Sequence, residues 1–121
     1  MSCPFCNHPE KILENDLAFA AYDRFPVSQG HILIIPKRHF SDFFQCTLPE
    51  RMAILQLIDK CKDHLSKEFH PDGYNIGINC GEAAGQTVFH LHVHFIPRYN
   101  GDIENPCGGV RGVIPGKRIY R

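Results

Sequence analysis

The sequence predicts a single α+β domain built on an antiparallel sheet, and three observations carry that expectation. The chain has 121 residues, 43% apolar and 11% aromatic, which suits one compact domain with a core of its own. One segment, opening at Thr47, repeats apolar residues at helical spacing. On either side of it lie short apolar or alternating runs of strand length, punctuated by proline and glycine. Strands that flank one long helix, rather than alternating with helices, indicate an antiparallel arrangement.

Taken in order, residues 1–10 form an N-terminal knuckle bearing Cys3, Cys6 and His8. Residues 17–23 read as a strand, despite three alanines. Phe25-Pro26-Val27-Ser28-Gln29-Gly30 turns the chain into His31-Ile32-Leu33-Ile34-Ile35. That run is apolar on both faces, as a covered central strand would be, and Pro36 closes it. At the helix, Thr47 caps, Pro49 suits the first turn and Glu50 completes a capping box. Leu48, Met52, Leu55, Ile58, Leu65 and Phe69 mark a stripe expected to pack on the sheet, with Lys62 a lapse that Cys61 fills. After the turn Pro71-Asp72-Gly73 comes an alternating strand over 74–79, then a loop with Gly81 and Gly85, then a strand over 88–97. From Tyr99 onward glycines and prolines predict an ordered but irregular tail over 100–121.

Thirteen basic residues offset thirteen acidic ones, so a broad cationic face for nucleic acid or a membrane surface is not expected. Any anion site must be local. The longest uncharged apolar run, Ile32 to Pro36, is far too short to span a bilayer. The first twenty residues hold no signal-peptide core. Six cysteines in that context are expected as reduced thiols in the cytoplasm.

The chemistry concentrates in Phe89-His90-Leu91-His92-Val93-His94-Phe95-Ile96. With a period of two, the three imidazoles leave one face, while Leu91, Val93 and Phe95 point to the other, toward the helix. Same-face neighbours stand roughly 7 Å apart along a strand, so one metal ion does not readily gather all three. A pair could chelate; a histidine-rich surface strand is the plain alternative. Neutral imidazole is a nucleophile at neutral pH, and imidazolium donates to phosphate oxygens. A central His92 could therefore attack phosphorus while its neighbours hold the ring and the anion. The preceding Gly85-Gln86-Thr87 can bring backbone N–H groups and two polar side chains to the same place.

These residues resemble the histidine triad motif of a superfamily of nucleotide hydrolases and transferases. The resemblance extends through Gly85-Gln86-Thr87-Val88, Asn79, Gly30-His31, Pro36-Lys37-Arg38-His39, Asp23-Arg24 and Pro26, across most of residues 5–99. It implies a five-stranded antiparallel sheet with one long helix and a short N-terminal helix, in a homodimer whose sheets join. It also implies that His92 becomes nucleotidylated at the α-phosphate, with His90 as its triad neighbour. His94 and Gln86 would contact the phosphate, Thr87 would act near the leaving group, and Asn79 would lie against the phosphate. Asp23 would bind the ribose hydroxyls of a purine nucleotide, and His31 would face the pocket.

Cys3-Pro4-Phe5-Cys6 has zinc-knuckle spacing, but two ligands do not close a site. An ordinary reduced pair or a redox pair would leave the same trace, although no βαβ unit surrounds it. The resemblance to a zinc-bearing branch implies completion by His39 and His90, a structural Zn²⁺ site with no open position. His8 is a competing ligand, and Cys46, Cys61, Cys80 and Cys107 are expected to pack. The tail from Arg98 resembles bacterial members described as diadenosine polyphosphate hydrolases. That implies cleavage of dinucleoside polyphosphates to a nucleoside monophosphate, with Arg98 and Arg111 either reaching a second phosphate or merely solvated. Nucleoside phosphoramidate hydrolysis, phosphorolysis and a nucleotide-binding regulatory dimer stay open beside it.

Overall fold

A computed structural model describes residues 3–8 and 10–120. Residues 1, 2, 9 and 121, parts of the expected knuckle and tail, lie outside it. Five strands form one sheet: β1 (Leu13–Glu14), β2 (Ala18–Tyr22), β3 (Ile32–Pro36), β4 (Gly73–Ile78) and β5 (Val93–Arg98). Their spatial order is β1-β2-β3-β5-β4, every neighbouring pair antiparallel. The single long helix α1 (Leu48–Ser66) connects β3 to β4 across β5 and packs on β2 and β3.

The helix begins where the capping box placed it. Thr47 Oγ1 accepts from the Glu50 N–H at 3.2 Å, and Glu50 Oε1 accepts from the Thr47 N–H at 2.9 Å. The buried face differs from the expected stripe. Ala53, Ile54, Leu57, Cys61 and Leu65 are buried, whereas Leu48, Met52 and Leu55 are exposed. Two apolar stripes lie side by side on this helix, and the expected one joins the buried one only at Cys61 and Leu65. The sheet beneath is floored by Ala18 and Ala20, so the close approach takes small residues such as Ala53 and Cys61. Ile58 and Phe69 do pack at the edge of this core.

The histidine strand is shorter than the expected 88–97. Its ladder runs from Val93 to Arg98, and residues 88–92 approach it as bent chain. The Leu91 N–H is taken instead by the Phe40 carbonyl, at 2.7 Å. Alternation survives the missing ladder, since Leu91, Val93 and Phe95 all enter the core beneath α1. No α-helix precedes β1 among the described residues; residues 4–7 form a turn where a short N-terminal helix was expected. The two-residue β1 carried no sequence signal. The tail is irregular as read, with short 3₁₀ turns at Gly109–Val113 and Pro115–Lys117.

The opposite face of the sheet carries Phe19, Ala21, Leu33 and Ile35, buried together with Phe5 of the knuckle packed against them. Apolarity on both faces of β3 thus has a separate cause on each: helix below, knuckle above.

Candidate active site and metal centre

Three histidines leave the knuckle side of the sheet, and each has its ring nitrogens assigned by a different partner. His90 is fully buried, and its Nε2 lies 2.7 Å from the Pro36 carbonyl. A carbonyl only accepts, so Nε2 carries the proton and the Nδ1 lone pair points the other way. It points at Cys3 Sγ (3.4 Å), Cys6 Sγ (3.5 Å) and His39 Nδ1 (3.1 Å). Cys6 Sγ and His39 Nδ1 are themselves 3.3 Å apart. Zinc–nitrogen bonds of about 2.1 Å and zinc–sulfur bonds of about 2.3 Å give a tetrahedron with edges of roughly 3.4–3.8 Å. The four separations, 3.1–3.5 Å, lie at the lower edge of that range or a few tenths of an ångström below it, so small shifts would seat one ion among the four donors. Next to His39 in the chain, Arg38 clamps the buried Glu50 carboxylate with two bonds, 2.9 and 2.8 Å. The guanidinium holds the Glu50 carboxyl down at about 2.

His92 Nδ1 lies 2.9 Å from the His90 carbonyl, which fixes the proton on Nδ1 and leaves the Nε2 lone pair free. That ring lines a cavity of about 460 Å³. His90 was expected beside His92 as a catalytic ring. The structure turns its imidazole into the Cys/His cluster, so it supports His92 only through its backbone oxygen. The ring flanking His92 on that side is Phe5, edge-on with centroids 4.9 Å apart; His94 stands on the other side at 5.1 Å.

His94 is set through His31. The Val27 N–H donates to His31 Nδ1 at 3.1 Å, so the His31 proton resides on Nε2, 3.0 Å from His94 Nδ1. His94 accepts there and, when neutral, presents Nε2–H. Burial, with His92 and His31 nearby, lowers His94 to about 4. Burial also lowers His31, against the pull of Asp23, whose Oδ2 is 3.4 Å from His31 Nε2. Asp23, His31 and His94 lie close enough to suggest a second metal site. The Val27 bond argues against it, since a cation would have to displace the Nε2 proton of a ring whose Nδ1 is already occupied. Gly30 makes this corner possible: its φ is +87°, and a Cβ would meet Leu65 at 2.9 Å.

Asp23, Asn79, Gly85, Thr87, His92 and His94 all line the one cavity. Gln86 does not. Its side chain is buried, accepting from the Gly81 N–H at 2.8 Å and donating to the Ser41 and Val88 carbonyls at 2.8 and 3.1 Å. It braces the loop that carries Thr87, where a phosphate contact was expected. His8 stands apart from the thiols and lines the cavity, accepting the Glu10 N–H. Arg98 is spent on Asp102 and Asn75, and Arg111 on the Lys117 carbonyl and the Tyr120 ring. Neither lines the cavity. The sequence reading missed Phe5 and Pro4 as cavity walls, along with Arg24 and Phe25; the apolar pair inside Cys3-Pro4-Phe5-Cys6 was the available signal. Cys61 packs in the core as expected, where burial pushes its thiol up to about 12.

Residues 7–101 match the family model described as the HIT domain. An uncharacterized HIT-like protein of Mycoplasma genitalium is 40% identical over 104 residues, 81% of this chain and 74% of that protein. An AP-4-A phosphorylase of Mycobacterium tuberculosis is 30% identical over 92 residues, 75% of this chain and 47% of that protein. A Zn-bound histidine triad family protein from Mycobacterium smegmatis superposes with a TM-score of 0.76 at 37% identity, covering 84% of this chain and 78% of that one.

Proposed function

The chain belongs to the HIT-domain family, and from that premise we propose that it transfers a nucleotidyl group through His92, with dinucleoside polyphosphates as substrates. The observation that carries this reading is the Nδ1–H bond from His92 to the His90 carbonyl, which aims an unprotonated Nε2 into the cavity. Nε2 attacks the α-phosphorus; a P–N bond forms as the P–O bond breaks, and the polyphosphate leaves with the electron pair. His94 Nε2–H, Asn79 and Thr87 donate to phosphate oxygens, and Asp23 accepts from the ribose of a purine nucleotide. Water then attacks phosphorus, the P–N bond breaks, and a nucleoside monophosphate departs while His92 regains its lone pair. The test is trapping: a reaction with radiolabelled diadenosine polyphosphate is quenched in alkali, digested and mapped. Label on His92, stable to base and lost in acid, is the expected result. Inversion of configuration at phosphorus would mean direct attack by water.

One observation favours a second leaving group. Of the lysines and arginines among the described residues, only Arg24 lines the cavity, so the site offers little charge for a long polyphosphate. A nucleoside phosphoramidate would instead release a neutral amine, its nitrogen taking up a proton as the P–N bond breaks. Product analysis on both substrates ranks them.

The same reading covers the rest of the chain. Residues 1–121 act as one domain in the cytoplasm, with structural zinc on Cys3, Cys6, His39 and His90. When bound, zinc would neutralise two thiolates and tie the knuckle to the sheet. Metal analysis should find one zinc per chain, and full occupancy in a Cys3→Ser/Cys6→Ser variant would exclude this ligand set. A homodimer would join the sheets along the outer edge of β4, where Ile76 is exposed.

A further inference from the structure

The knuckle carries two sets of residues that belong to different ligands. Cys3 and Cys6 face His39 and His90, whereas Pro4, Phe5 and His8 form one wall of the nucleotide cavity. The sets interleave within six residues, so one cannot move without the other. Among the described residues, no backbone hydrogen bond ties 3–8 to the sheet. What holds this segment is the pair of cysteines, the packing of Phe5 and the His8 ring against Phe19, centroids 6.2 Å apart. The Phe5 ring touches both sites, 6.0 Å from the His90 ring and 4.9 Å from the His92 ring, edge-on to each. It also covers Phe19, Ala21, Leu33 and Ile35.

We propose that metal at Cys3, Cys6, His39 and His90 and nucleotide in the cavity bind with positive cooperativity, with Phe5 as the positioning residue that couples them. This rests on the nucleotide-site and zinc readings above. The physical reason is a shared ordering cost. A short segment without ladder bonds loses conformational freedom when its cysteines are ligated. A metal that has already ordered it presents the Phe5 wall ready-made to the nucleotide, and a nucleotide that has ordered the wall presents the thiols ready-made to the metal. Thermodynamic linkage makes the two enhancements equal.

The test uses the full chain, zinc and AMP. Competition with a chromogenic chelator measures zinc affinity with and without saturating AMP, and calorimetry measures AMP affinity with and without zinc. Each ligand should tighten the other by the same factor, on the order of tenfold. Phe5→Ala keeps all four metal ligands and should bring that factor near one, and Phe5→Tyr should restore it. A purely structural wall would weaken AMP binding in Phe5→Ala without touching its response to zinc. Should the zinc-stripped chain unfold, AMP would raise zinc affinity through folding alone; that coupling would persist in Phe5→Ala, and its persistence overturns the role of Phe5. Zinc affinity indifferent to AMP in the wild-type chain overturns the coupling, and undiminished coupling in Phe5→Ala overturns the role of Phe5. Zinc-loaded chain that binds no AMP at all sinks the nucleotide-site reading along with this one.

Discussion

The two faces of the sheet are built on different physics. Beneath it, Ala18, Ala20, Ile32, Ile34, Leu91, Val93 and Phe95 meet α1 in apolar packing, where energy follows area and shape. Above it, His90, His92 and His94 are each assigned a proton position by a named acceptor or donor: the Pro36 carbonyl, the His90 carbonyl and His31. The lower face tolerates no lost volume, and the upper face tolerates no lost direction. The main core therefore lies on one side of the sheet, and the directed imidazoles share the other with the smaller cluster of Phe19, Ala21, Leu33 and Ile35; β5 contributes alternate residues to each side.

That division can be broken from either side. The largest expected effect is on the upper face: His92→Asn should lower turnover by several orders of magnitude, with thermal stability and nucleotide binding close to wild type. Near-normal turnover measured in steady state would remove His92 from the chemistry. Next is the lower face, where Leu57 is fully buried. Leu57→Ala should cost about 2–5 kcal/mol in denaturant unfolding, while the per-molecule turnover of folded protein changes little. Equal loss of both quantities would show that the faces are not separable.

Acid sharpens the comparison further. His94 is neutral in the fold down to about 4, against an ordinary 6.5, so the unfolded chain binds the extra proton. The stability tied to that neutral ring is complete above pH 6.5 and drains away as pH falls toward 4. Glu50, ordinarily 4.5 and held at about 2, adds a second loss as pH falls from 4.5 toward 2. Melting temperature followed from pH 7 to 4 should slope downward in the wild type, and the slope should flatten in His94→Asn. The smallest effect belongs to the outer stripe of α1. Leu55, exposed outside both cores, should change monomer stability by no more than about 0.5 kcal/mol when replaced by Ser, as chemical denaturation would show.

Much of this was legible in residues alone because local rules sufficed. Period-two alternation put His92 and Leu91 on opposite faces whether or not a ladder formed, since extended chain alternates by its own geometry. Thr47 and Glu50 close their capping box within four residues, and Ile32 to Ile35 needed cover on both faces wherever it came from. The Cys/His quartet was legible only through family resemblance, because Cys3 and His90 are 87 positions apart and no local rule joins them. Tertiary structure alone decided which of two helix stripes faced the alanine floor, and it alone turned Gln86 inward onto Ser41. It alone withdrew the His90 ring from the row and put Phe5 in its place beside His92. Each of those outcomes is a competition among distant groups for one space or one hydrogen bond. A linear pattern records which groups compete, whereas the winner is set by the shape that the whole chain closes around.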